Sequence, residues 1–433
     1  MESEKSYLDN HLATVQTTAI GENVPLELPG AVHQRNIKLV GDAIEPMGMG
    51  RYQWQVFLTC GFGFAADQIL LVAVGLVLPQ IVKEFKTDNA NYVVFALYVG
   101  LLAGAVTCGS LVDLFGRRLV WILSLLLTSV MAMVCASAPN FVVLCVFTAI
   151  EAFVGGGNVS IDLAIMSEFL PKKHRYLLTV FAAAWGVGNA LGGLFAWPLI
   201  ANYSCGPDAT PATCHRSEKM GWRYQYILTG GFCLVLSLIR GRLDDAVAAV
   251  AEVARVNKSS VILDRGALHE EPKVESATAV KIKDMPVLQH VRGLFADAKL
   301  ARSTASIFFL WMGIGIAYPI YTLFLPAYLA AHGARLGDGS TYMTYRDYTI
   351  SSIVGIFGPL LSGYLVQVPL LGRRYSMTVT ACCAAAFAIA STTVRNEAQH
   401  LAFSSMINFW QNAYYGILYA CAPNFLAYVR RRV

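Results

Sequence analysis

Charge is scarce in this chain of 433 residues: Asp, Glu, Lys and Arg together make up 14%. A water-soluble domain usually carries about a quarter charged residues, so a surface facing water on all sides is excluded. Metal-type cysteine spacing is absent too. The ten cysteines stand mostly as single residues inside apolar runs (Cys60, Cys108, Cys135, Cys145, Cys233), with no Cys-x-x-Cys or Cys/His pattern. A zinc site is therefore not expected, and adjacent Cys382 and Cys383 read as packing residues. The first fifty residues are polar and lack the apolar core of a cleavable signal peptide. No G-x-x-x-x-G-K-[ST] loop occurs, so ATP drive is not expected and no cofactor is implied. The eight histidines lie mostly in loops and tails, which speaks against an enzyme built on a His/Asp or Ser/His group. The net charge of +5 is modest and reads through loop placement, not as a nucleic-acid signal.

What the chain has is apolar length. Hydrophobic residues make up 56% of it, and mean hydropathy is +0.51. A spanning helix takes roughly twenty mainly apolar residues. Ten runs qualify: Val56–Val82, Tyr92–Val112, Leu119–Ala138, Phe141–Met166, Leu177–Ala201, Arg223–Ile239, Thr304–Ala331, Tyr348–Val368, Ser376–Val394 and Leu401–Val429. Backbone groups in lipid must be satisfied within each segment, so the runs are predicted to be helices. The reading is an all-α membrane protein. It has a cytosolic disordered tail (1–55), six helices (56–240), a cytosolic central loop (241–303) and four helices (304–433). Within the loop, Asp244–Val256 has the periodicity of a short amphipathic helix and Lys258–Lys283 reads as disordered. The sixth run is short: counted from Trp222 to Ile239 it spans about 27 Å at 1.5 Å per residue. Glycines at Gly155-Gly156-Gly157 and Gly192-Gly193 suit close helix packing.

Lys and Arg concentrate on the cytosolic side of membrane proteins. With the N-terminus inside, 25 of the 33 fall inside. Most of that margin comes from the central loop; short loops and tail alone give 10 against 8. The Asn202-Tyr203-Ser204 sequon then lies outside, close to a helix end. Cys205 and Cys214 share that loop and stand open as a disulfide or as two thiols.

Between the second and third runs stands Gly109-Ser110-Leu111-Val112-Asp113-Leu114-Phe115-Gly116-Arg117-Arg118. Gly109 reads as a point of close helix approach, and Gly116 as a tight turn that glycine makes cheaply. Asp113, Arg117 and Arg118 read as a charged latch at the lipid edge; an ordinary hairpin with interface arginines is the other reading. A weakened echo follows later: Gly363-Tyr364-Leu365-Val366-Gln367, then Gly372-Arg373-Arg374, with Gln367 in the place of Asp113. A third pattern, Glu168-Phe169-Leu170-Pro171 followed by Arg175, ends the fourth run.

The G-x-x-x-D-x-x-G-R-R spacing resembles the signature loop of the major facilitator superfamily, and its echo fits the two related repeats of that fold. The E-x-x-P-x-x-x-R pattern resembles sugar porters. Gly156-Gly157-Asn158-Val159-Ser160-Ile161-Asp162 leading into Glu168 is similar to the fungal branch related to synaptic-vesicle transporters. The resemblance runs from about Arg51 to Pro423. It implies a major-facilitator helical bundle that moves a small organic solute by alternating access. It also implies that Asp113, Arg117, Glu168 and Arg175 form a cytosolic gating network, against the alternative of separately solvated charges. The family has twelve helices where ten are read here, so an internal deletion after Ile239 and a shortened C-terminus are expected.

Ionisable groups inside a span are costly and are functional candidates by default. Asp67, Glu151 and Asp162 qualify. Glu151 and Asp162 are eleven residues apart, about 16 Å along one helix face. They read as proton sites, Asp67 and Asp162 first, or else as neutral hydrogen-bonded packing residues. Asn158 joins them as a binding candidate. For the solute, Asn408, Gln411 and Asn412 offer amides that both donate and accept. Tyr318, Tyr321 and Phe324 offer an aromatic wall, with interhelical bonding and core packing as the respective alternatives. The function expected is proton-coupled transport of a sugar-like or organic-acid solute; a non-transporting membrane sensor or assembly partner, or an inactive truncated isoform, is the alternative. The expected partners are the solute, protons and the lipid bilayer, without nucleic acid. The protein is expected as a monomer in the plasma membrane or a vacuolar or vesicular membrane.

Overall fold

The computed structural model describes residues 48–87, 89–115, 117–204, 220–240, 295, 298–331 and 341–430. Several expectations lie outside these residues: the tail to 47, Gly116, Cys205 and Cys214, and the central loop with its amphipathic segment. The side chains of Asp113, Arg117, Arg118, Glu168, Tyr318, Tyr321 and Phe324 are outside them too. The chain divides into two compact units, Met1–Trp54 with Asp244–Val280, and Gln55–Leu243 with Lys281–Val433. In the first, the described residues start helix α1 (Arg51–Phe85). There the Gly50 N–H donates to Gln53 Oε1 at 3.1 Å.

In the second unit the regular elements among the described residues are helices. After α1 come α2 (Asn91–Phe115), α3 (Arg117–Cys135), α4 (Phe141–Gly155), α5 (Asn158–Phe169), α6 (Leu177–Val180), α7 (Ala183–Asn202) and α8 (Gly221–Arg240). Then follow α9 (Ala298–Ala331), α10 (Thr341–Leu365), α11 (Gly372–Ser391) and α12 (Glu397–Arg430). Taking α4 with α5 and α6 with α7 as single spans, these are the ten expected. Five stretches are long and apolar enough to cross a membrane by length and composition: Gln53–Phe85, Asn91–Gly109, Phe141–Ser167, Leu177–Asn202 and Tyr342–Leu365.

Three boundaries differ from the sequence reading. Helix α8 runs a little past the sixth apolar run at both ends, with 20 residues, about 30 Å, and is not among those five stretches. Helices α9, α10 and α12 begin before their apolar runs, because helical hydrogen bonding does not stop where the lipid does. The fourth span is not one unbroken helix. It is interrupted by a turn at Gly156 (φ −59°, ψ −25°) and Gly157 (φ −93°, ψ −13°), which keep near-helical dihedrals.

Helix α2 approaches this turn closely. A Cβ at Gly104 would strike the Phe153 carbonyl, one at Gly156 the Leu101 carbonyl, and one at Gly157 the Cys108 side chain. Backbones this close suit membrane packing, where small residues replace the missing hydrophobic drive between helices. The opposite face of α2 shows Tyr92, Phe95, Val99, Leu102 and Val106 exposed at helical spacing, a lipid-facing stripe. Gly109, read as the close-approach point, has open space where a Cβ would stand. Its counterpart in the echo behaves differently: a Cβ on Gly363 would strike Val180, and Gly372 takes φ +53°. Gln367 donates to the Gly363 carbonyl at 2.9 Å within its own turn.

Two polar ties close helix ends. Glu84 accepts from Trp222 Nε1 at 2.5 Å and from Arg223 at 2.9 Å, with the Arg223 guanidinium 4.1 Å from the Trp222 ring centre. Arg346 bridges Asp347 at 2.7 Å and Glu397 at 2.5 Å, joining α10 to α12. Exposed and partly exposed pairs of this kind contribute little, so packing carries the bundle. Helix α10 is the hub of that packing, lying against α7, α12 and α6.

Candidate functional site

The acids expected inside the spans are buried, and each accepts from a neutral donor among the described residues. Asp67 on α1 accepts from the Asn158 amide at 2.6 and 2.7 Å, one contact to each carboxylate oxygen. The Asn158 Oδ1 in turn accepts from Ser124 on α3 at 3.2 Å. One turn further along α5, Asp162 accepts from the indole N–H of Trp121 at 2.5 Å. The structure thus brings Asp67, Asn158 and Asp162 together as one polar core through α1, α3 and α5. Glu151 stands apart on α4, where it accepts from the Cys135 thiol at 3.3 Å. Glu151 and Asp162 both accept from residues on α3, Cys135 and Trp121.

The amides of α12 pack against α10. Asn408 donates to Ser351 Oγ at 3.3 Å and to its own helix at the Ser404 carbonyl at 3.1 Å. Asn412 is buried beside Gly355, where a Cβ would stand 2.6 Å from its amide nitrogen. Gln411 is half-buried. Of the expected gating residues, Arg175 is half-buried and its carbonyl accepts from Leu178 N–H at 3.2 Å. Arg373 is half-buried and Arg374 exposed.

The sequence reading missed the residues that join the first six spans to the last four. Gln68 donates to Asn189 Oδ1 at 2.7 Å, and the same oxygen lies 3.5 Å from the donating hydroxyl of Tyr348. The buried Gln68 Oε1 has no hydrogen-bond partner. These three residues sit on α1, α7 and α10. Toward the Arg51 end of α1, rings from both parts meet. Trp185 on α7 lies 6.0 Å from Tyr415 and 5.1 Å from Tyr419 between ring centres. Trp311 on α9 lies 6.1 and 4.8 Å from the same two rings. Phe64 touches Trp185 and Tyr419 at 5.1 and 5.5 Å. Toward the Phe85 end, Tyr345 donates to the Leu76 carbonyl at 2.5 Å, and Trp197 packs on Tyr342 at 5.2 Å. Lone amides in the middle of apolar runs were the available signal for Gln68 and Asn189.

Such an arrangement offers two amides and a phenol for hydrogen bonding, with packed rings beside them. Among the described residues no group of His, Cys, Asp and Glu could hold a metal ion.

Comparison with known proteins agrees with this architecture. The model of the Major Facilitator Superfamily matches residues 56–433. The chain is 37% identical over 418 residues to MFS siderochrome iron transporter 1 of Ceriporiopsis subvermispora, covering 90% of this chain and 80% of that protein. It is 30% identical over 192 residues to synaptic vesicle glycoprotein 2A of Rattus norvegicus, covering 43% of this chain and 24% of that one. Among solved structures, a partially occluded inward open conformation of the xylose transporter XylE from E. coli superposes with a TM-score of 0.58. It is 14% identical, with 87% of each chain covered.

Proposed function

Since the chain belongs to the Major Facilitator Superfamily, we propose that it carries a small organic solute, sugar-like or an organic acid, across the membrane by alternating access with protons as the coupling ion. It is an integral membrane protein of the major-facilitator fold. The observation that carries the reading is the Gln68–Asn189–Tyr348 group, built by helices of both parts and holding a buried amide oxygen without a partner. A buried polar atom of this kind costs about 1–3 kcal/mol while unpaired, and a solute hydroxyl or acid proton would satisfy it. Gln411, Asn408 and Asn412 extend the polar lining on α12. Solute sites near midplane at the junction of two repeats are the rule for such carriers.

Asp67 and Asp162 serve as the proton sites in this reading. Each is buried against a neutral donor that suits either protonation state: an amide for Asp67, an indole for Asp162. The Lys and Arg distribution supports the Arg51 end on the cytosolic side. The host is a plasma or vacuolar membrane and the working unit a monomer.

The test is uptake by the purified full chain in liposomes under an inward proton gradient. The labelled probes are xylose, a ferric siderophore and a small monocarboxylate. At least one probe accumulates; Gln68→Ala and Asn189→Ala abolish that uptake, and a protonophore collapses it. Asp67→Asn and Asp162→Asn remove proton drive. If both aspartate variants accumulate solute as the unmodified protein does, the coupling assignment is wrong. If no probe moves, the transport reading of this chain for these solute classes is wrong.

A further inference from the structure

Helices α2 and α3 each pack along α4 but meet one another over only a short stretch. Between the three a recess of about 340 Å³ is left. Its wall includes Leu111 of α2, Leu119, Leu123 and Leu127 of α3, and Phe153 of α4. All five are exposed, so the recess opens sideways onto the lipid. Gln68, Asn189 and Tyr348 are not part of its wall.

The two hydroxyls on that wall already donate within the protein. Thr107 donates to the Ala103 carbonyl at 2.9 Å, and Ser124 to the Trp121 carbonyl at 3.1 Å and to Asn158 at 3.2 Å. Apolar cavities stay dry and take apolar guests; one of about 150 Å³ holds a benzene. The occupant is therefore hydrocarbon. Leu119, Leu123 and Leu127 follow at intervals of four, so the wall runs about 12 Å along α3, the direction in which a lipid chain lies. A volume of about 340 Å³ over that length leaves a cross-section of about 28 Å², far less than a helix of about 10 Å diameter fills. Arg117 and Arg118 open α3 immediately before Leu119. That end of the recess thus lies at a basic pair, and basic residues at a membrane edge attract lipid phosphates.

We propose that this recess binds one acyl chain of a membrane phospholipid, with the phosphate toward Arg117 and Arg118. The chain lies against Ser124, whose hydroxyl bonds Asn158, which in turn bonds Asp67. A resident lipid there fills the space where α2 and α3 lack contact, on the outer side of the buried acid core. The site is separate from the solute site. It requires only an integral membrane protein and does not rest on the transport reading.

Photolabelling of the unmodified full chain tests it. The chain is reconstituted in phosphatidylcholine liposomes doped with a phosphatidylcholine that carries a diazirine midway along one acyl chain. After irradiation and digestion, mass spectrometry maps the adducts. Those on Leu119, Leu123, Leu127 and Phe153 exceed those on Val106, Val235 and Leu238, exposed residues outside the recess, about tenfold, the ratio that about 1.4 kcal/mol of preference gives. Leu123→Trp, which fills the recess, brings the two sets to parity, while Leu102→Trp on the open stripe of α2 leaves the ratio alone. Replacing both arginines, Arg117→Gln with Arg118→Gln, lowers it. Equal labelling of the two sets in the unmodified protein means bulk lipid or some other covering only, and overturns the proposal. A ratio that survives Leu123→Trp overturns it as well. A ratio that the arginine pair leaves untouched overturns the place given to the phosphate.

Discussion

At the scale of single residues, each buried acid here accepts from at least one neutral donor among the described residues, and that makes the donor matter. Removing one partner of a buried polar pair costs about 1–3 kcal/mol, because the other is left unsatisfied. Asn158 donates to both oxygens of Asp67 and accepts from Ser124, so it serves two groups at once. Asn158→Leu is expected to lower stability by about 1–3 kcal/mol, read as an earlier loss of monodisperse protein on heating in detergent. The companion Asp67→Asn, Asn158→Leu double variant should lose no more than the single one, since the charge it would strand is gone. Sequence reading found Asp67, Asn158 and Asp162 because charge and amide stand out in apolar runs. It could not find their partners: Trp121 lies 41 positions from Asp162, and only folding brings them together. Gln68 and Asn189 went unread for the opposite reason, being uncharged amides without a motif around them.

At the scale of elements, ten spans were legible because hydropathy over twenty residues is a strong signal. Where helices touch was less so. Glycine alone does not say which glycine is pressed. Gly109, inside the most conspicuous motif, faces open space, whereas Gly104 lies against the Phe153 backbone. The contrast yields opposite expectations for the same substitution. Gly109→Ala should be neutral or stabilising by about 0.5–1 kcal/mol, the usual gain inside a helix. Gly104→Ala must push α2 from α4 and should sharply reduce the yield of folded protein. Fluorescence-detected size-exclusion chromatography of the two variants side by side decides this, and equal profiles would refute the packing description. The turn at Gly156 and Gly157 was likewise hidden, because near-helical dihedrals leave no mark in a sequence beyond the glycines themselves.

At the scale of the whole molecule, the second unit contains both the first six spans and the last four, and their junction is closed at the Phe85 end. Tyr345 bonds the Leu76 backbone there, and a Cβ on Gly193 would stand 2.7 Å from Thr349 Oγ1. A neutral hydrogen bond is worth about 1 kcal/mol net, which is about fivefold in a two-state ratio. Tyr345→Phe should therefore raise the population open at that end about fivefold. Distances between spin labels at Lys83 and Tyr342, measured by double electron–electron resonance, would lengthen in that fraction. An unchanged distribution would show that this bond does not hold the closure.

The ring cluster gives the protein a built-in optical signature. Tyr415 sits between an indole of the first six spans and one of the last four, its centre about equally far from Trp185 and Trp311. Coupled indole and phenol transitions of this sort produce near-ultraviolet circular dichroism that depends on their mutual orientation. Any rocking that parts the two bodies must pull the chromophores out of register, so the amplitude of that signal tracks opening in unlabelled material.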